Sequence, residues 1–291
     1  ITALAASDLA DLTTLNTQRA GFSNLTNIIA ITLTNDGGGG DGNVDFGTLE
    51  TIVDNYQADI KAGVQFSFQA ADTIDIYTSD ELTAYLADIA SGALALSDQA
   101  VTVDSGTTLS VANAKSIAAD TTGTVTATIT SGTRVSDLTE LRNPGGGNEE
   151  NAWTITIHSD DATSSASNLN TINAATSEQV NAAAVTSISS SNISDVSTLL
   201  TSAVATTPRE FTTGSFDNLA TLTVSDGTID VDTLNTAISN ANSVVAGGTV
   251  PVFTLANGAE INGGNEAAFA TLMTVEGAAG TDNINLGDQA L

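Results

Sequence analysis

The chain has 291 residues, of which 34 are acidic and 6 basic, giving a formal charge of −28 at pH 7, and 41% are hydrophobic. That charge repels phosphate backbones and anionic membrane surfaces, which argues against nucleic-acid and membrane partners. There is no cysteine, so a disulfide framework and thiol chemistry are excluded, and no apolar run of about 18 residues is present to cross a membrane.

Apolar residues at i and i+3, often with i+4, mark short helices packed on one side. In chain order the stripes are Leu12 with Leu15, Leu49 with Ile52 and Val53, Leu82 with Tyr85 and Leu86, and one opened by Ala114. Leu138 with Leu141, Leu169 with Ile172, Val196 with Leu199 and Leu200, Leu234 with Ile238, and one opened by Phe269 follow. Ser7, Ser79, Ser136, Ser167 and Ser194 stand where hydroxyls are expected to cap first turns. Ahead of most helices, runs rich in β-branched residues predict strands at 28–34, 64–68, 74–77, 101–103, 125–129, 153–157, 184–188, 222–224 and 250–255. Asp104-Ser105-Gly106, Ser159-Asp160-Asp161 and Ser225-Asp226-Gly227 are expected to turn the chain from strand into helix.

The helix starts recur about every 32 residues, which is the spacing of repeat arrays. With aromatics at only 4%, Ala, Val, Leu and Ile carry the apolar load, as suits thin layers that hand an open face to the next. The expected fold class is α/β: a repeat solenoid of short parallel strands, each followed by a short helix. The alternatives are a β-rich solenoid and a doubly wound parallel sheet. The shortest step, from Ala114 to Leu138, spans 24 residues, close to the least a strand-helix crossover can use, and favours the solenoid. The expected organisation is a single repeat domain over 1–291, of roughly nine irregular units, with Gly-rich insertions at 35–45 and 143–148.

Candidate chemistry is confined to cations. Asp36 opens a stretch in which Asp41, Asn43 and Asp45 alternate, a pattern that resembles the first ligands of an EF-hand or dockerin-type loop and suits calcium. The likeness stops at Phe46, where the loop has glycine, and at Ile52, where it has a carboxylate. Gly277, Gly280, Asp282 and Ile284 resemble one half-repeat of the RTX (haemolysin-type) family, which implies calcium at Asp282 once a neighbouring turn is present. No other cofactor is expected.

The only histidine is His158, beside Asp160 and Asp161, and no G-x-S-x-G, H-E-x-x-H, Walker or G-x-G-x-x-G sequence occurs, so no enzyme is expected. Trp153, Tyr56, Tyr77 and Tyr85 could stack on sugars, but they are spread over separate repeats and Tyr85 lies in a helix stripe, so core packing is expected for most of them. Met273 is the only methionine and the chain starts at Ile1, which suggests a processed product or an excised fragment.

Three phrases, ASNLNTIN at 166–173, TGTVTAT at 122–128 and VTSIS at 185–189, carry a resemblance across residues 100–240. Here the chain resembles the repetitive Thr/Ser/Asp-rich secreted surface proteins of cyanobacteria and other aquatic bacteria. The resemblance implies an extracellular, cell-surface structural protein whose partner is itself, a homopolymer forming a surface layer, sheath or filament, with calcium. The alternative is an adhesin or fibre-type module that recognises a glycan or host surface, with surface polysaccharide as its partner.

Overall fold

The computed structural model describes residues 3–6, 9–18, 30–33, 43–59, 65–68, 73–141, 151–206, 210–245, 251–256, 259–264, 267–268, 270–272 and 284–285. It is a mixed α/β structure of parallel sheets and helices, with no closed barrel among the described residues. The chain divides into two compact units, one of residues Ile1–Thr130 with Asn143–Trp153, the other of Ser131–Arg142 with Thr154–Leu291.

In the first unit the chain runs β1 (Ala3–Ala6), α1 (Leu9–Gln18), β2 (Ala30–Leu33), β3 (Asn43–Asp45), α2 (Phe46–Asp59), β4 (Gln65–Phe68), β5 (Thr73–Ile76) and α3 (Ser79–Ser91). It continues through β6 (Leu94–Ala95), β7 (Ala100–Val103), β8 (Thr108–Leu109), α4 (Val111–Asp120) and β9 (Val125–Ile129). After α5 (Val135–Leu138), which belongs to the second unit, comes β10 (Ala152–Thr154). The strands build two parallel sheets, in the orders β1-β2-β4-β6 and β10-β9-β7-β5-β3.

This corrects the expected succession of one strand and one helix. Between α1 and α2, and again between α2 and α3, the chain lays down two strands, one in each sheet. The turn at Asp104-Ser105-Gly106 therefore leads into β8, not directly into α4. The extra strands are short and carry one buried apolar residue between exposed ones, Val44 in β3 and Leu109 in β8. So brief an alternation has no period to detect.

Alternation does explain the longer strands. Phe66 and Phe68 point inward from β4, Val101 and Val103 from β7, and Val125, Ala127 and Ile129 from β9. Parallel register stacks them in rows: Ile31 on Phe66 on Leu94 in one sheet, Val44 on Ile74 on Val101 on Val125 in the other. Helix α2 covers this core with Phe46, Leu49, Ile52, Val53 and Tyr56, all essentially inaccessible. Phe46 meets Tyr85 of α3 edge-on at 5.3 Å, and Tyr56 meets Phe66 at 6.1 Å. Burying each such side chain is worth about 1.5–3 kcal/mol. Trp153 is buried too, whereas Tyr77 stays half exposed.

The second unit holds α5, then β11 (Thr163–Ser164), α6 (Ala166–Asn173), β12 (Ser187–Ser191), α7 (Ile193–Val204), β13 (Thr221–Val224) and β14 (Thr228–Asp230). It ends with α8 (Val231–Val244), β15 (Val252–Leu255), β16 (Glu260–Asn262) and β17 (Ile284–Asn285). Its parallel sheets are β11-β12-β13-β15-β17 and β14-β16. Ile188 stacks on Leu222 and Phe253, and Ile229 on Ile261. Beneath them Leu169 and Ile172 of α6, Val196, Leu199 and Leu200 of α7, and Leu234 and Ile238 of α8 form the buried stripes the sequence predicts. The turn Ser225-Asp226-Gly227 leads into β14.

The caps lie one or two residues ahead of the expected serines. Thr78, Ser165 and Asn192 have extended backbones, and their side chains accept the amides of Glu81, Asn168 and Asp195. Ser79, Ser167 and Ser194 are already helical, and Ser136 lies in α5, whose cap position is held by Arg134 without a side-chain bond. A cap needs the extended backbone that lets its oxygen reach the third amide. Ser7 and the insertion at 143–148 lie outside the described residues, as does most of the one at 35–45.

Candidate functional site

Asp36, Asp41 and Asp282 lie outside the described residues. Asn43 and Asp45 are the exposed ends of β3. Asp45 Oδ1 accepts the Thr48 amide at 2.7 Å, so this carboxylate caps α2, where it also complements the positive end of the helix dipole. In the parallel register Asp45 aligns with Asp75 of β5, which is only 6% exposed and accepts a hydrogen bond from the Tyr77 hydroxyl at 3.3 Å. Among the described residues no group of three or more His, Cys, Asp or Glu side chains is placed to hold a metal ion.

The helix starts of the second unit carry an arrangement that local sequence does not announce. The first helical amide of α5, at Val135, donates to Asp161 Oδ2 at 3.0 Å. That of α6, at Ala166, donates to Ser191 Oγ at 2.9 Å, and that of α7, at Ile193, to Asp226 Oδ2. First-turn amides have no partner within their own helix, so each is satisfied here by a residue 25 to 33 positions later in the chain. At α8 the corresponding place is taken by Gly263 and Gly264, where a Cβ would lie 2.3 Å from Asp230 and 2.5 Å from Val231. Both glycines have positive φ. Signals for these contacts exist only in retrospect, as Ser or Asp residues left over in turns.

Arg134 reinforces the first of them, with Nη1 at 2.9 Å from Asp160 and Nη2 at 2.9 Å from Asp161. His158 lies beside this pair, its Nδ1 accepting the Asp160 amide at 3.2 Å. The residues around His158 thus close a turn onto a helix start.

Two further features are the edge strands β1 and β17. Among the described residues β1 pairs only with β2, from Ala3 on Ala30 to Ala6 on Leu33, and β17 pairs only with β15, Ile284 on Phe253 and Asn285 on Thr254. Among the described residues each therefore has one side on which backbone N–H and C=O groups have no strand partner. Among the described residues no helix is long and apolar enough to cross a membrane.

Comparison with protein-family models, with curated proteins and with solved structures returned no match to this chain.

Proposed function

We propose that the protein is an extracellular structural protein whose copies join end to end into a surface layer, sheath or filament, each copy being an α/β solenoid. The observation that carries this reading is the pair of open parallel edges at β1 and β17. In sheet β1-β2-β4-β6 and in sheet β11-β12-β13-β15-β17, chain order and spatial order run together. The open side of β17 is thus the same kind of edge that β1 offers to β2, and the open side of β1 is the kind that β17 offers to β15. Backbone pairing between β17 of one copy and β1 of the next continues the parallel ladder, and a contact between unlike surfaces that does not close on itself propagates.

Composition supports the same reading. The charge of −28 keeps single copies apart in dilute, salt-free solution and makes association depend on cations. Calcium is proposed at Asp36, Asp41, Asn43 and Asp45, with Asp282 as a further ligand once an adjoining turn is supplied. No catalytic role is proposed for any residue.

Proline in β1 tests the edge. In a parallel strand successive residues bond to opposite sides, so of Leu4→Pro and Ala5→Pro one removes an amide from the open side and the other an amide facing β2. The first leaves the fold intact and abolishes polymers seen by electron microscopy. Full-length polymers in both variants would exclude β1 as the joint.

A further inference from the structure

We propose that the C-terminal turns of α3 and α4, flanked by α2, form a proton-responsive seam that tightens the first unit as the solution becomes acidic. Asp88 lies in the last turn of α3 and Asp120 is the final residue of α4, and neither last turn has a basic residue. Both carboxylates therefore sit at the negative end of a helix dipole, where their charge is unfavourable. Asp88 Oδ2 and Asp120 Oδ2 are buried without a hydrogen-bond partner among the described residues, and so is the Tyr85 hydroxyl between these helices. Asp120 borders a cleft of about 410 Å³ whose walls include Leu86, Ile89, Ala90 and Ala119, an apolar setting that disfavours an ion.

The groups around the seam are almost all acids. From α2, Glu50 and Asp54 act on Asp88; α3 itself contributes Tyr85, and α4 contributes Asp120 and the exposed Lys115. Strands β6, β8 and β9 contribute no ionisable side chain. Burial first, then the charges of Asp54 and Glu50, push the Asp88 carboxyl up from 3.8 to about 6. Burial likewise raises Asp120, and Glu50 is raised by burial and by Asp54, Glu81 and Asp80. A carboxyl raised by folding contributes stability that is full below its unfolded value and is lost as pH climbs through the folded one. The window for Asp88 is thus from 3.8 to about 6. Because Asp88 as a whole is only partly buried, solvent screening reduces the expected effect to about tenfold in the folding equilibrium.

Trp153, the only tryptophan, is buried in this unit and reports its unfolding by fluorescence. Denaturant titrations of the whole chain at pH 5 and 7.5 are expected to show the first unit more stable at pH 5. Asp88→Asn and Asp120→Asn should each remove part of that gain, whereas Glu178→Gln, an exposed charge of the second unit, should keep all of it. An undiminished gain in both Asn variants, or an equal loss in Glu178→Gln, overturns the proposal in favour of general self-repulsion. Should an Asn variant fail to fold, hydrogen exchange on the wild type decides. After correction for intrinsic rates, greater protection of α3 and α4 at pH 5 supports the seam, and equal protection overturns it.

Discussion

Asp161 holds the start of a helix that precedes it by 26 residues: its Oδ2 accepts the Val135 amide at 3.0 Å while its Oδ1 pairs with Arg134 at 2.9 Å. Its side chain is only 12% exposed, so little water is available to replace it. Asp161→Ala is expected to destabilise the second unit by about 1–3 kcal/mol, the range for a partly buried polar group left without its partner. Asp226→Ala, which frees the Ile193 amide, should have an effect of the same order. Denaturant titration followed by circular dichroism measures both, and Asp160→Ala, whose pair with Arg134 is exposed, should change stability by less than about 1 kcal/mol.

Two glycines give opposite predictions. A Cβ on Gly123 would lie 2.3 Å from the Gln99 carbonyl oxygen and 2.6 Å from that of Asp98, both backbone atoms that cannot rotate away. Gly123→Ala is expected to lower stability by about 1–3 kcal/mol, read from the denaturation midpoint. Gly227 has open space around its Cβ position and no positive φ, so Gly227→Ala should be neutral or stabilising by up to about 1 kcal/mol.

Asp230 caps α8 by accepting the Thr233 amide and hydroxyl, both at 2.9 Å. The Thr233 amide bond, then its hydroxyl bond, hold this carboxyl below its ordinary 3.8, with burial opposing them. A group lowered by folding contributes stability above its unfolded value and loses it as pH falls through the folded one, the opposite sense to Asp88. Acidification below 3.8 is therefore expected to speed exchange of the Thr233 amide, beyond the intrinsic change, and Asp230→Asn should flatten that response. Exchange monitored by nuclear magnetic resonance checks it.

The contrast among these residues shows what could be read from sequence. Stripes such as Leu49, Ile52 and Val53, or Val196, Leu199 and Leu200, repeat with the helical period, and all of these residues are buried. Strand β9 falls on 125–129 as expected because Val125, Ala127 and Ile129 alternate with threonine. Where the apolar run extends past the strand, the reading slips. The expected 184–188 becomes Ser187–Ser191, since Val185 is buried in the preceding turn and polar serines complete the strand. The expected 153–157 becomes Ala152–Thr154 followed by a lone bridge from Thr156 to Asn181.

Strands with a single apolar residue, such as the one around Ile229, carry too little pattern to be seen. The same limit applies to the candidate site. Asp45 stands out as one of three alternating polar residues, yet its position one residue before α2 makes it a cap. Asp161 and Asp226 act on helices 26 and 33 residues earlier, at distances no local motif encodes.

Electron microscopy of the purified chain, at rising concentration and with calcium or a chelator present, tests the central claim most directly. End-to-end association predicts ordered polymers that lengthen with concentration and salt and that disappear when the open side of β1 is blocked. Uniform single particles at high concentration, with calcium as without it, would contradict the account.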